Sequence, residues 1–260
     1  MNCINLDDYR QEARRRLRPD YFDYFDGGAQ DEVTLRANAT AFDAITLRPR
    51  VLTGGLGASH EEVLGIDLLG SASSMPVFIS PTAFHRLAHP DGECATAAAS
   101  QEAGITMTIS MASTMPVEEI VASMCRSGET PNCWFQLYVQ PDRGFTAELV
   151  NRVQAAGCSA VVVTADSPAF GRHERDLRHG FVDLPAGLHC AHMKSGDRNA
   201  CREIEFDPTL CWKDIDWLRS ITDLPLVVKG IAHPEDARLA VSHGVSAVYV
   251  SNHGGRQLDT

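Results

Sequence analysis

The chain has 260 residues, 44% of them hydrophobic and 22% charged, enough to bury a sizeable core as one large domain or two small ones. A formal charge of -11 disfavours nonspecific binding to nucleic acid, and the basic cluster Arg14, Arg15, Arg16 and Arg18 is offset by nearby acids. No apolar run reaches the length of a membrane span and MNCINLDDYRQEARRRLRP lacks the apolar stretch of a signal peptide, so the reading is a cytoplasmic protein without a membrane partner.

In chain order, Asn5 or Asp7 can cap a first helix that runs to about Arg16 and ends before Pro19. A second helix, DYFDYFDGGA, carries Tyr21, Phe22, Tyr24 and Phe25 at helical spacing and breaks at Gly27-Gly28. A helix is expected near 31–42, with short strands around ITLRPRVL and the apolar LLG. From residue 76 a rhythm sets in: apolar runs PVFISPTA, ITMTIS, CWFQLY, AVVVTA, LPLVVKG and AVYVSN alternate with amphipathic helical stretches. Nearly continuous apolar strands alternating with helices imply a parallel sheet covered by helices, an α/β fold. Between the fourth and fifth runs lies a polar insertion, residues 171–212, longer than an ordinary connection. The expected organisation is a helical lead-in over 1–70 and a strand-helix region over 71–260.

Each run ends in a group capable of chemistry: Thr82, Ser110, Gln136 with Tyr138, Thr164 with Asp166, Lys229, and Asn252 with His253. A (β/α)8 TIM barrel gathers the C-terminal ends of its strands into one active-site mouth, and six segments agree with that placement. The competing open doubly wound sheet needs a phosphate loop, and no GxGxxG or GxxxxGK[ST] occurs. His253 can act as a general base, with Asp166 as the carboxylate that orients it, and Arg256 can grip a carboxylate through two parallel bonds. Lys229 at the end of an apolar strand calls for an anion nearby, as the electron-rich edge of a reduced flavin would supply.

The cysteines, at positions 3, 94, 125, 133, 158, 190, 201 and 211, form no CxxC pair and read as reduced thiols. His189, Cys190, His192 and Cys201 fit no standard zinc spacing, and their segment reads as a solvated loop rather than a metal site.

The motifs YFDYFDGGAQDEVTLRAN, SPTAFHRLAHPDGE, WFQLYV, VVTADSP, DLRHGF, LPLVVKGI and SNHGGRQLD together resemble the FMN-dependent 2-hydroxy acid oxidases and dehydrogenases, the family of glycolate oxidase, lactate oxidase and mandelate dehydrogenase. The resemblance spans almost the whole chain. It implies a TIM barrel, FMN as cofactor and oxidation of a small (S)-2-hydroxy acid to a 2-oxo acid. At matching positions it implies His253 as catalytic base with Asp166 as partner, Tyr138 on the substrate oxygen, and Tyr24 with Arg256 as carboxylate clamp. Thr82, Ala83, Ser110, Gln136, Thr164 and Lys229 would hold the isoalloxazine ring, and a complete chain would form a homotetramer.

Two departures stand out. The family has two adjacent arginines where this chain reads GRHER, so Arg172 keeps the first and His173 replaces the second in the substrate pocket. Ala112 is small at a position that is bulky in some short-chain glycolate oxidases, which suggests an aryl or longer aliphatic substrate. Six strand runs also leave a barrel two βα units short, so the sequence reads as truncated after the sixth strand, without the family's phosphate site and with weak FMN binding expected. The runner-up reading is therefore an inactive remnant; a different FMN barrel, such as an isomerase, ranks last because it would not require the set Tyr24, Asp166, His253 and Arg256.

Overall fold

A computed structural model describes residues 3–52, 63–125, 128–193 and 202–260. Contacts gather the chain into two units: one holds 1–45, 170–188 and 252–260, the other 46–169 and 189–251.

In the first unit, helix α1 (Leu6–Arg16) begins at Asn5, whose side-chain oxygen accepts from the Asp8 N–H at 2.8 Å, which decides between the two expected caps. Pro19 starts helix α2 (Pro19–Asp26), where its missing N–H costs nothing, and buries Phe22. Helix α3 (Val33–Thr40) takes the Asp259 carboxylate on the N–H groups of Val33 (3.1 Å) and Thr34 (2.7 Å), so the chain's last residues cap its N-terminal end. Part of the insertion folds here as well, as the short helix Glu174–His179 closed by Gly180 in the left-handed region.

The second unit contains a hairpin of β1 (Ile66–Leu68) and β2 (Ser71–Ser73) and a parallel sheet of β3 (Met107–Ser110), β4 (Cys133–Leu137), β5 (Val161–Thr164), β6 (Leu226–Ile231) and β7 (Ala247–Val250), hydrogen-bonded in that order. The α/β character and five of the six expected runs are present. The first, PVFISPTA, makes only an isolated parallel bridge, Ile79 to Met107. Pro76 opens it and Pro81 lies within it, and neither can donate to a ladder, which limits its pairing. The segment ITLRPRVL is not a strand either: Pro49 interrupts it and its residues are exposed.

Strand alternation divides the sheet's side chains between two buried faces. Met107, Ile109, Phe135, Leu137, Val161, Val163, Leu226 and Val228 join the main core with apolar positions of the helices Val117–Met124, Arg143–Ala156 and Trp212–Ile221. The opposite face packs Trp134, Ala160, Val162 and Val227 against Leu68 and Leu69 of the hairpin. That second face carries the polar strand ends. The insertion is not uniformly solvated: Ala191, His192 and Met193 form a buried 3-10 turn, and Met193 belongs to the main core.

Candidate active site

On the face shared with Trp134, Val162 and Val227, stepping two residues toward the C-terminal ends of the strands reaches Ser110, Gln136, Thr164 and Lys229. The register aligns them, Ser110 opposite Gln136 and Thr164 opposite Lys229. All four are buried, a costly location for four polar groups unless they serve one another or a ligand. Gln136 organises the row: its Oε1 accepts from Ser110 Oγ and the Met111 N–H, both at 3.2 Å, and its Nε2 donates to Thr164 Oγ1 at 3.0 Å. Those bonds fix the amide's orientation.

Lys229, 5% exposed, places Nζ 3.7 Å from Asp166 Oδ2 and 5.9 Å from the centre of the Tyr249 ring. Burial pulls its pKa below the ordinary lysine value, and the Asp166 carboxylate opposes that pull. The approach depends on Gly230. The register shifts between Lys229 and Ile231, Gly230 sits at φ +104°, and a Cβ there would lie 2.5 Å from that of Asp166.

Tyr138, one residue beyond β4, is part-buried with its ring edge-on to Phe206 at 5.1 Å. Ala83 is part-buried and Thr82 exposed, with the Thr82 hydroxyl on the Ser80 carbonyl at 3.3 Å. Ala112 is buried, its N–H donating to Ser110 Oγ at 3.1 Å. Glu93, which sequence reasoning passed over, is fully buried and accepts from the N–H groups of His85 (3.1 Å) and Thr114 (2.8 Å) and the Thr114 hydroxyl (2.7 Å), tying the SPTAFHRL loop to the turn after β3.

The first unit holds the other predicted residues. His253 occupies the left-handed region (φ +57°) in the turn His253–Gly255, and Gly255 leaves no room for a side chain, since a Cβ would lie 2.6 Å from the Leu35 nitrogen. One terminal nitrogen of Arg256 donates to the carbonyls of Tyr24 (2.6 Å) and Gly27 (2.7 Å), while the guanidinium carbon lies 5.0 Å from the centre of the Tyr24 ring. The two members of the predicted clamp are thus adjacent.

His173, expected in the substrate pocket, lies beside Arg256. Its Nε2 lies 2.7 Å from the Arg256 carbonyl oxygen and its Nδ1 3.2 Å from Asp176 Oδ2, so both ring nitrogens face protein acceptors. The first of these contacts braces the backbone at Arg256. Arg175, also missed from sequence because it sits in a run of charges, bonds Asp26 (3.0 Å), Asp23 (3.3 Å) and Glu32 (2.6 Å). Burial alone would lower its pKa, but Glu32 and Asp26 outweigh that and hold the guanidinium charged.

Residues 13–260 match the model of the FMN-dependent dehydrogenase family. The chain belongs to that family. It is 42% identical to the L-lactate oxidase of Nostoc sp. across 98% of this chain and 72% of that protein. It is 40% identical to the glycolate oxidase of Spinacia oleracea, covering 100% and 70% of the two. Among solved structures, mandelate oxidase with benzoyl-formic acid superposes with a TM-score of 0.88 at 39% identity, over 99% of this chain and 70% of that one.

FMN is the family's cofactor, and the buried row on the sheet suits it chemically. Lysine ammonium, glutamine amide and two hydroxyls supply donors for the carbonyl-rich edge of the flavin ring, while the amide oxygen and the hydroxyls can accept from its N–H. No group of at least three His, Cys, Asp or Glu able to hold a metal occurs among the described residues, and Cys201 lies outside them.

Proposed function

We propose that this chain oxidises an (S)-2-hydroxy acid to the 2-oxo acid on FMN held in a TIM barrel, with Ser110, Gln136, Thr164 and Lys229 against the ring edge and Thr82 and Ala83 beside it. Bound FMN supplies an acceptor for the substrate's two electrons. Arg256 and Tyr24 hold the substrate carboxylate, Tyr138 donates to the oxygen at the reacting carbon, and His253 takes the proton that the substrate loses. By the family's pattern Asp166 would partner His253 as its carboxylate, and Lys229 would supply positive charge to a bound flavin.

The observation that carries this reading is the buried row Ser110–Gln136–Thr164–Lys229, four polar side chains from four adjacent strands on one face. Ala112 favours a substrate with an aryl or longer aliphatic side chain, and the compound bound to the mandelate oxidase relative carries a phenyl group. Cytoplasmic location and assembly as a homotetramer complete the proposal, to be checked by fractionation and by size-exclusion chromatography with light scattering.

The test is product analysis after incubating the FMN-supplemented protein with (S)-mandelate, 2-hydroxyoctanoate and glycolate, with oxygen or a dye as acceptor. The proposal expects 2-oxo acid from the first two ahead of glycolate. Glycolate as the best substrate would refute the side-chain assignment, and no 2-oxo acid from any of them would refute the activity.

A further inference from the structure

The insertion contributes a polar side chain, His192, to the heart of the sheet-bearing unit. It is 1% exposed, its ring stands edge-on to Phe135 with centroids 5.0 Å apart, and its Nδ1 lies 3.0 Å from the Met111 carbonyl oxygen. A carbonyl only accepts, so Nδ1 carries the hydrogen and a neutral ring leaves Nε2 as a bare lone pair. That Nε2 has no hydrogen-bond partner among the described residues. Burial is the main cause that lowers its pKa to about 4, with Arg152 lowering it and Glu118 and Glu93 raising it, so the ring is neutral near pH 7. A second strut runs beside it, the Ala191 N–H donating to the Ser113 carbonyl at 2.9 Å.

Met111 links this histidine to the polar row. Its carbonyl accepts from His192, its N–H donates to Gln136 Oε1 at 3.2 Å, and Gln136 Nε2 donates to Thr164 Oγ1 at 3.0 Å. Every member is buried, where hydrogen bonds are strong and an unmade one is costly. A leucine would fill the volume of the imidazole without the orphaned nitrogen, so packing alone does not account for a histidine here.

We propose that His192 is a positioning residue of the flavin site: by donating Nδ1–H to Met111 it fixes the backbone that orients the Gln136 amide, which makes the insertion a brace for the ring-binding row. This rests on the reading that Gln136 and Thr164 hold the flavin.

The experiment uses the whole chain labelled with 15N-histidine and 15N-glutamine, with His192→Leu and His192→Asn as variants; the asparagine amide can reach the carbonyl that Nδ1–H serves. The wild-type ring should read as the neutral Nδ1–H tautomer from about pH 6 to 8. His192→Leu should speed exchange of the Gln136 side-chain amide about tenfold, and His192→Asn should restore most of the protection. An Nε2–H tautomer, or equal Gln136 protection in the leucine variant, overturns the proposal. If the leucine variant fails to fold, the tautomer and the asparagine variant decide. An FMN titration of the same proteins separates the two readings: weaker binding by His192→Leu with recovery in His192→Asn supports the brace. Failure of all three to bind would overturn the functional reading and leave the nuclear-resonance result to judge the brace.

Discussion

The burial of His192 should make the sheet-bearing unit sensitive to acid in a way that one substitution removes. An unfolded histidine takes its proton near pH 6.5, whereas this one is held down to about 4. A base whose folded pKa is depressed leaves stability intact above the unfolded value and drains it as pH falls, because the unfolded chain binds a proton that the folded chain refuses. At about 1.4 kcal/mol per unit, the loss attributable to His192 is about 2 kcal/mol by pH ~5 and about 3 kcal/mol by pH ~4. The assay is urea unfolding of the wild type and His192→Leu at about pH 7.5 and 5. Near pH 7.5 the variant loses one buried hydrogen bond, about 1 kcal/mol, partly offset by leucine packing. Toward pH 5 its stability relative to the wild type should improve by about 2 kcal/mol, since other groups, including His85 whose pKa burial also lowers, titrate in both proteins. A stability difference that stays constant between the two pH values would refute the reasoning.

Gly230→Ala should destabilise by more than about 2 kcal/mol in thermal unfolding, because φ of +104° disfavours alanine and its Cβ would strike Asp166; an unchanged Tm would contradict this. Arg256→Lys should raise KM for the 2-hydroxy acid about tenfold or more with little change in FMN affinity, since an ammonium keeps the charge and loses the fork; an equal KM would remove Arg256 from the clamp. His173→Arg should raise turnover, because a guanidinium can keep donors on the Arg256 carbonyl and Asp176 while adding a permanent charge; unchanged or lower kcat/KM across about pH 6 to 9 would count against it.

Strand placement was legible because it follows from short-range pattern. The runs ITMTIS, CWFQLY, AVVVTA, LPLVVKG and AVYVSN all contain strands, and Ser110, Gln136, Thr164 and Lys229 of the first four fall on one face by simple alternation. PVFISPTA read the same way and pairs only through one bridge, since its prolines remove donors that a hydrophobicity pattern does not register. The adjacency of Tyr24 and Arg256, 232 positions apart, came from family resemblance and is present in the first unit. His192 was illegible for a different reason. Its segment, HCAHMKSGDRN, is polar on average, and only its fit beneath Met111 distinguishes a buried histidine from a solvated one. The contact of the His173 ring with the Arg256 carbonyl joins residues 83 positions apart and leaves no pattern in the sequence.

The most direct measurement is anaerobic mixing of the FMN-loaded protein with (S)-mandelate while the flavin's visible absorption is followed. The account predicts bleaching matched by one equivalent of 2-oxo acid, slowed by about a hundredfold or more in His253→Asn. An absorption band that persists with substrate present, or one that bleaches equally fast without His253, would contradict it.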